Sequence, residues 1–180
     1  MKNKPLFFAI LYSLLYITVT LFLYFTERYA VFNMVYLLAM GLIIPMVVLT
    51  IKVQRDGQYG GYISGKNAAK EGMKFVMYSV MILMVFQAFF YYTGWREFKA
   101  DSLPHYVRSK ALELDKLGKR KFNEEQLQVA IKEELKNITL FKELTFVFFR
   151  TVFIGLFSSL TAGFIMKKAK PSFSNGILKR

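Results

Sequence analysis

Residues Phe75–Trp95 read FVMYSVMILMVFQAFFYYTGW, 21 consecutive uncharged positions bounded by Lys74 and Arg96. At 1.5 Å of rise per residue, a helix of this length covers the roughly 30 Å hydrocarbon layer of a bilayer. Three further runs match it, Leu6–Thr26, Ala30–Ile51 and Leu144–Met166, and Arg150 is the single charged residue inside any of the four. Hydrophobic residues make up 54% of the 180, above the roughly 45–50% of soluble domains, and the excess lies in these blocks. The fold class expected is therefore all-α. One polytopic membrane domain spans residues 1–180, with crossings at about 6–26, 30–51, 75–95 and 144–166.

The first run follows Lys2 and Lys4, as a secretory signal would. It is longer than a typical h-region, and Tyr24-Phe25-Thr26-Glu27 offers no small-x-small cleavage site, so it is expected to stay attached. The chain has no Cys, which excludes disulfides, thiol nucleophiles and Cys-ligated metal centres.

Lys and Arg orient membrane helices. Four crossings put 12 of them on the face holding residues 1–5, 52–74 and 167–180, and 12 on the face holding 27–29 and 96–143. Only positions within roughly 20 residues of a helix end count, which lowers the second face to 8 by removing Lys116, Lys119, Arg120 and Lys121. Both termini are thus expected in the cytoplasm. Much of the net charge of +13 is then directed at anionic inner-leaflet lipid rather than nucleic acid, each basic residue near that surface contributing about 1 kcal/mol.

Only Glu27, Arg28 and Tyr29 join the first two runs, which predicts a tight helical hairpin, and Pro45 should kink the second crossing. Residues 102–143 are expected to form a helical hairpin outside the bilayer. Pro104 stands near the start of its first helix, whose apolar face carries Val107, Ala111, Leu114 and Leu117 up to Gly118. Asn123 can cap the second helix, whose face carries Leu127, Ala130, Ile131, Leu135 and Ile138. These faces must bury against each other, lipid headgroups or a partner. Leu127, Ile131 and Leu135 are the expected partner-docking face.

Gly155, Ser159 and Gly163 recur at spacing four, a small-residue stripe that lets another helix approach closely. Arg150 is the seventh residue of its run; snorkelling to the nearer interface is its simplest reading, and contact with a lipid phosphate or a partner carboxylate is the alternative. Gln87, in mid-helix, can hydrogen-bond a neighbouring helix. Gly60, Gly65 and Lys66 match a phosphate-binding loop, but Asn67 replaces the magnesium-binding Ser or Thr and no strand precedes it, so a flexible glycine turn is expected. Met73, Met77, Met81 and Met84 form a stripe of soft copper(I) ligands, but with one His (His105) and no Cys it reads as gap-filling packing. Neither a cofactor nor a metal is expected. His105 has no nucleophile or carboxylate specified beside it, and Glu124-Glu125 and Glu133-Glu134 read as solvated helix surface. Asn137-Ile138-Thr139 is a glycosylation sequon by pattern only.

The loop Tyr59-Gly60-Gly61-Tyr62-Ile63-Ser64 leading through Ala68-Ala69-Lys70-Glu71-Gly72, the element Leu103-Pro104-His105-Tyr106, and the small-residue last crossing ending in Lys167-Lys168 span most of the chain. On these residues it resembles an uncharacterised family of four-helix inner-membrane proteins found mainly in Bacteroidota, a domain of unknown function. The resemblance implies a bacterial inner-membrane location and an α-helical fold, and it brings no catalytic or binding residues with it. The function expected is a non-enzymatic accessory or scaffold subunit of an envelope complex, its partners the lipid bilayer and a membrane protein or a second copy of itself. The alternative is a small transporter or lipid-handling protein with Arg150 and Gln87 lining a cavity. An enzyme acting on lipid-linked substrates, built around His105, stands third.

Overall fold

The computed structural model describes residues 3–26, 32–118 and 122–167, apart from the side chains of 32–36, 95–99 and 102. All regular structure among the described residues is helical: α1 Lys4–Phe25, α2 Phe32–Gly57, α3 Gly65–Phe90, α4 Arg96–Lys116, α5 Glu124–Lys136 and α6 Leu140–Ile165. Among the described residues, four segments are long and apolar enough to cross a membrane: Lys4–Phe25, Leu37–Gly57, Gly65–Gly94 and Leu140–Met166. The expected tight turn at Glu27, Arg28 and Tyr29 and the basic link at Lys119, Arg120 and Lys121 lie outside the described residues.

Local chemistry sets most helix ends. The side chains of Asn3, Ser64 and Thr139 accept from the backbone N–H of Leu6, Asn67 and Lys142, and Asn123 forms a capping box with Gln126. At the end of α2, Gly60 adopts φ +59° and Gly61 N–H donates to Arg55 O at 2.8 Å, the six-to-one bond of a Schellman cap. The glycine loop is therefore a helix stop, and Ser64 starts the next helix four residues later.

Three helix boundaries differ from the limits of the apolar runs and of the expected hairpin. Helix α3 begins at Gly65, ten residues before the uncharged run, and α2 continues past Lys52 and Arg55 to Gly57. Pro104 lies inside α4 instead of near its start, because a π-helical turn at Tyr91–Trp95 passes α3 directly into α4 at Arg96. A helix continued in this way needs no fresh cap, and Glu97, Lys99, Ala100 and Leu103 are good helix formers.

Helix α3 is the hub, packed on α1, α2 and most extensively α6, while α2 also touches α1 and α6, and α4 packs on α5. The tightest contact follows the small residues. A Cβ on Gly72 would lie 2.7 Å from Ser159 Oγ, one on Gly163 would lie 3.0 Å from Gly65 O, and one on Gly155 would overlap Val76. The partner of the Gly155, Ser159 and Gly163 stripe is thus α3 of the same chain, and these contacts set the antiparallel register of the pair.

The bundle is more apolar outside than a water-facing surface allows. Val85 (72%), Phe89 (69%) and Phe153 (64%) are exposed, while Ser13, Thr20, Gln54, Glu71, Gln87, Arg150, Thr151 and Ser159 are buried. That distribution suits a hydrocarbon surround, which rewards outward apolar groups and tolerates polar groups only in the protein interior. Met77 and Met81 belong to the outward face, so only part of the methionine stripe fills helix contacts, as Met84 does against the core.

Candidate functional site

Among the described residues, two that carry charge, Glu71 and Arg150, are buried inside the bundle, on different helices and at different heights. Glu71, in the second turn of α3, is 1% exposed. Its Oε1 accepts from Lys74 Nζ at 2.7 Å and from Tyr59 O–H at 3.3 Å, and its Oε2 accepts from Gln54 Nε2 at 2.9 Å. One carboxylate thereby joins the end of α2, the glycine loop and the start of α3. Burial and the adjacent Glu71 carboxylate push the Tyr59 phenol above its ordinary range, which keeps its proton on the donor side of that bond. A buried carboxylate with three donors is satisfied, and its chemistry here is that of a latch.

Arg150 occupies the second centre. It is 8% exposed, and its guanidinium lies 5.7 Å from the ring of Tyr16 on α1 and 5.4 Å from that of Phe146. Phe146 stands one turn nearer the start of α6, so the side chain leans toward the end of the helix that snorkelling would reach, and the aromatic faces offer an extended cation a favourable electrostatic surface out of water. Gln87 is also buried, and its Nε2 makes no hydrogen bond. Ser13 Oγ, Thr20 Oγ1 and Thr151 Oγ1 are equally buried without one.

A groove of about 190 Å³ runs between α1 and α2, walled by Tyr12, Tyr16, Leu15, Val19, Leu38 and Leu42, and Tyr16 in its wall is the residue that also faces Arg150. Tyr12 O–H donates to Ala39 O at 3.1 Å, so the groove meets its ring rather than a free hydroxyl.

The α4–α5 hairpin forms as expected but closes on itself. Ile131 is buried, Leu127 shares clefts with Ala111 and Phe122, and Leu135 is half-buried. Ile131 is thus covered within the hairpin, while Leu127 lines clefts that remain between α4 and α5 and Leu135 is only half-buried. Arg108 Nη2 and Glu124 Oε1 pair at 2.7 Å across the two helices, and this contact holds the Glu124 carboxyl below its ordinary range. Glu124 is thus a paired residue, while Glu125, Glu133 and Glu134 are exposed. Tyr91 O–H donates to Ile138 O at 3.2 Å, joining the π-helical turn to the α5–α6 link.

His105 is exposed on α4, and Asn137 of the sequon caps α5 and accepts from Lys142 Nζ at 3.1 Å. Among the described residues, no three His, Asp or Glu side chains could share a metal ion. Sequence reasoning missed the Glu71 latch. A signal for it exists, since Glu71 falls on the helical face made by Ala68, Gly72, Phe75 and Ser79, all of them buried.

These features define a four-helix bundle of membrane-spanning type, with buried polar residues set in an apolar core and an appended helical hairpin. Residues 6–168 match DUF4199, described as a protein of unknown function, and the chain belongs to that family. Neither the curated proteins nor the solved structures contain a match to it.

Proposed function

We propose that this protein is a non-enzymatic accessory or scaffold subunit of a complex in the bacterial inner membrane, multi-pass with both termini cytoplasmic. The observation that carries this reading is the unbroken passage from α3 through the π-helical turn into α4. A hairpin held on a continuous helix moves with the bundle, as a scaffold arm must, whereas a hairpin on a loop would not. The surface offered to a membrane-protein partner is the hairpin's exposed apolar residues, Tyr106, Leu112, Leu117 and Val129, of which Tyr106 and Leu112 border the clefts that Leu127 also lines. The test is recovery of the tagged protein from native membranes in mild detergent. A stoichiometric partner lost on Leu112→Asp with Val129→Asp supports the reading; an unchanged partner, or none in the wild type, refutes it. Alkaline phosphatase inserted at Gly118 should be active, and inactivity there would invert the orientation.

A second reading, lipid handling, is favoured by a specific observation: a largely aliphatic groove opens between α1 and α2, and Tyr16 in its wall also faces the buried Arg150.

A further inference from the structure

Lys4 is the last charge before the apolar run of α1, and Lys74 is the last before that of α3, a helix on which α1 packs. Asn3 Nδ2 donates to the Tyr78 hydroxyl oxygen at 3.3 Å, and Tyr78 stands one turn beyond Lys74. This bond brings the two charge-to-apolar boundaries side by side at one height. Lys70, Lys74 and Tyr78, spaced by four, form a single stripe of α3, with Lys70 exposed and the other two half-buried. Lys74 gives one N–H to Glu71 and keeps two, and the Tyr78 hydroxyl, which accepts from Asn3, keeps its own proton to give. The Glu71 carboxylate lies behind Lys74 with its oxygens taken by Gln54, Tyr59 and Lys74, so the corner presents donors and positive charge outward. Beyond it both helices become apolar on the same side. Phe7, Ile10 and Leu14 follow Asn3 at i+4, i+7 and i+11, Met77, Met81 and Val85 follow Lys74 at i+3, i+7 and i+11, and all six are exposed.

We infer that Lys70, Lys74, Tyr78 and Asn3 form a binding site for the phosphate of an anionic diacyl phospholipid whose headgroup carries no cation. The phosphate oxygens accept from the two ammonium groups and the phenol, and hydrogen bonds to an ionised acceptor are roughly twice as strong as neutral ones. The two acyl chains lie along the two exposed apolar lanes, one on α1 and one on α3, which a free phosphate would leave unused. A zwitterionic headgroup would set its ammonium beside Lys70 and Lys74, where like charges repel. The site differs from the diffuse attraction of basic residues to a charged leaflet, because its donors stand on two helices joined at one corner. A lipid held there contacts α1 and α3 together and stabilises the folded bundle by mass action.

This site is separate from the hairpin and from the α1–α2 groove. Its test is native mass spectrometry of the purified full chain in mild detergent, titrated with phosphatidylglycerol or phosphatidylcholine, with folding of each variant checked by gel filtration and thermal melting. One phosphatidylglycerol should be retained in preference to phosphatidylcholine, and should raise the melting temperature. Lys70→Gln with Tyr78→Phe should weaken that binding roughly tenfold or more, and Lys70→Gln alone, at an exposed position, by less. Lys52→Gln with Lys167→Gln removes two exposed charges from the ends of other helices and should leave it unchanged. Equal retention of the two lipids, equal loss in both double variants, undiminished binding in folded Lys70→Gln with Tyr78→Phe, or displacement by millimolar inorganic phosphate overturns the inference. Leu112→Asp with Val129→Asp should leave phosphatidylglycerol binding unchanged, which separates failure of this site from failure of the scaffold reading.

Discussion

The α3–α6 pair and the α4–α5 hairpin are both antiparallel helix pairs, yet they are assembled by different physics. The first has Gly72 under Ser159, Gly155 under Val76 and Gly163 against Gly65, with bulky side chains turned outward. The second turns Ile131 and Leu127 inward and its charges outward. In hydrocarbon, apolar side chains gain nothing by meeting each other, so close backbone approach and buried polar contacts provide the cohesion. In water the hydrophobic effect does, at about 25 cal/mol per Å² of apolar surface buried. The lesson is that helix pairs of similar outline need opposite residue patterns on their facing sides.

That contrast can be broken at several points. The largest effect is expected at Glu71→Ala, which removes the common acceptor of Gln54, Tyr59 and Lys74. Breaking a buried ion pair costs about 3–5 kcal/mol, discounted here because Lys74 is partly exposed, and thermal unfolding in detergent reads it directly. A melting temperature within a degree of wild type would show the latch to be dispensable. Next comes Gly72→Leu, which forces α3 away from Ser159 and should destabilise the bundle by about 1–3 kcal/mol, while proteolysis of the hairpin stays unchanged. Ile131→Ala should do the reverse, speeding hairpin proteolysis at a cost of about 2 kcal/mol and leaving the bundle's melting temperature in place. If either variant moves both readouts together, the two pairs are one cooperative unit.

The smallest effects concern single protons. The Tyr59 phenol is raised, so the stability from its bond to Glu71 is fully present below the ordinary tyrosine pKa of about 10 and fades as pH rises through the folded value. Tyr59→Phe should abolish that alkaline loss. Glu124 is lowered, so the help it gives the hairpin is present above the ordinary carboxylate pKa of about 4.3 and fades as pH falls through the folded value. Because the Arg108–Glu124 pair is exposed, Glu124→Gln should change hairpin exchange rates only at low salt.

Several features were legible in the residues because short-range physics decides them. Continuous apolar runs mark membrane crossings, Asn123 marks the α5 cap, and the periodicity of Leu127, Ile131 and Leu135 marks a helix face. Others were not. The same local pattern that makes Glu71 and Lys74 an ordinary i, i+3 surface pair also occurs on a face buried by α2 and α6. Pro104 looks like the start of a helix, and only the π-helical turn, which passes α3 into α4 at Arg96, shows it to lie in the helix interior.

By itself the sequence determined how many segments enter the hydrocarbon and where most helices are capped, because transfer free energies and caps act within about 20 residues. The tertiary structure alone decided where two charges go. Glu71 is buried because α2 returns Gln54 and the loop returns Tyr59 to its oxygens, and Arg150 turns inward because the bundle brings Tyr16 opposite it. Those partners are 17, 12 and 134 residues away along the chain, and no local rule links them.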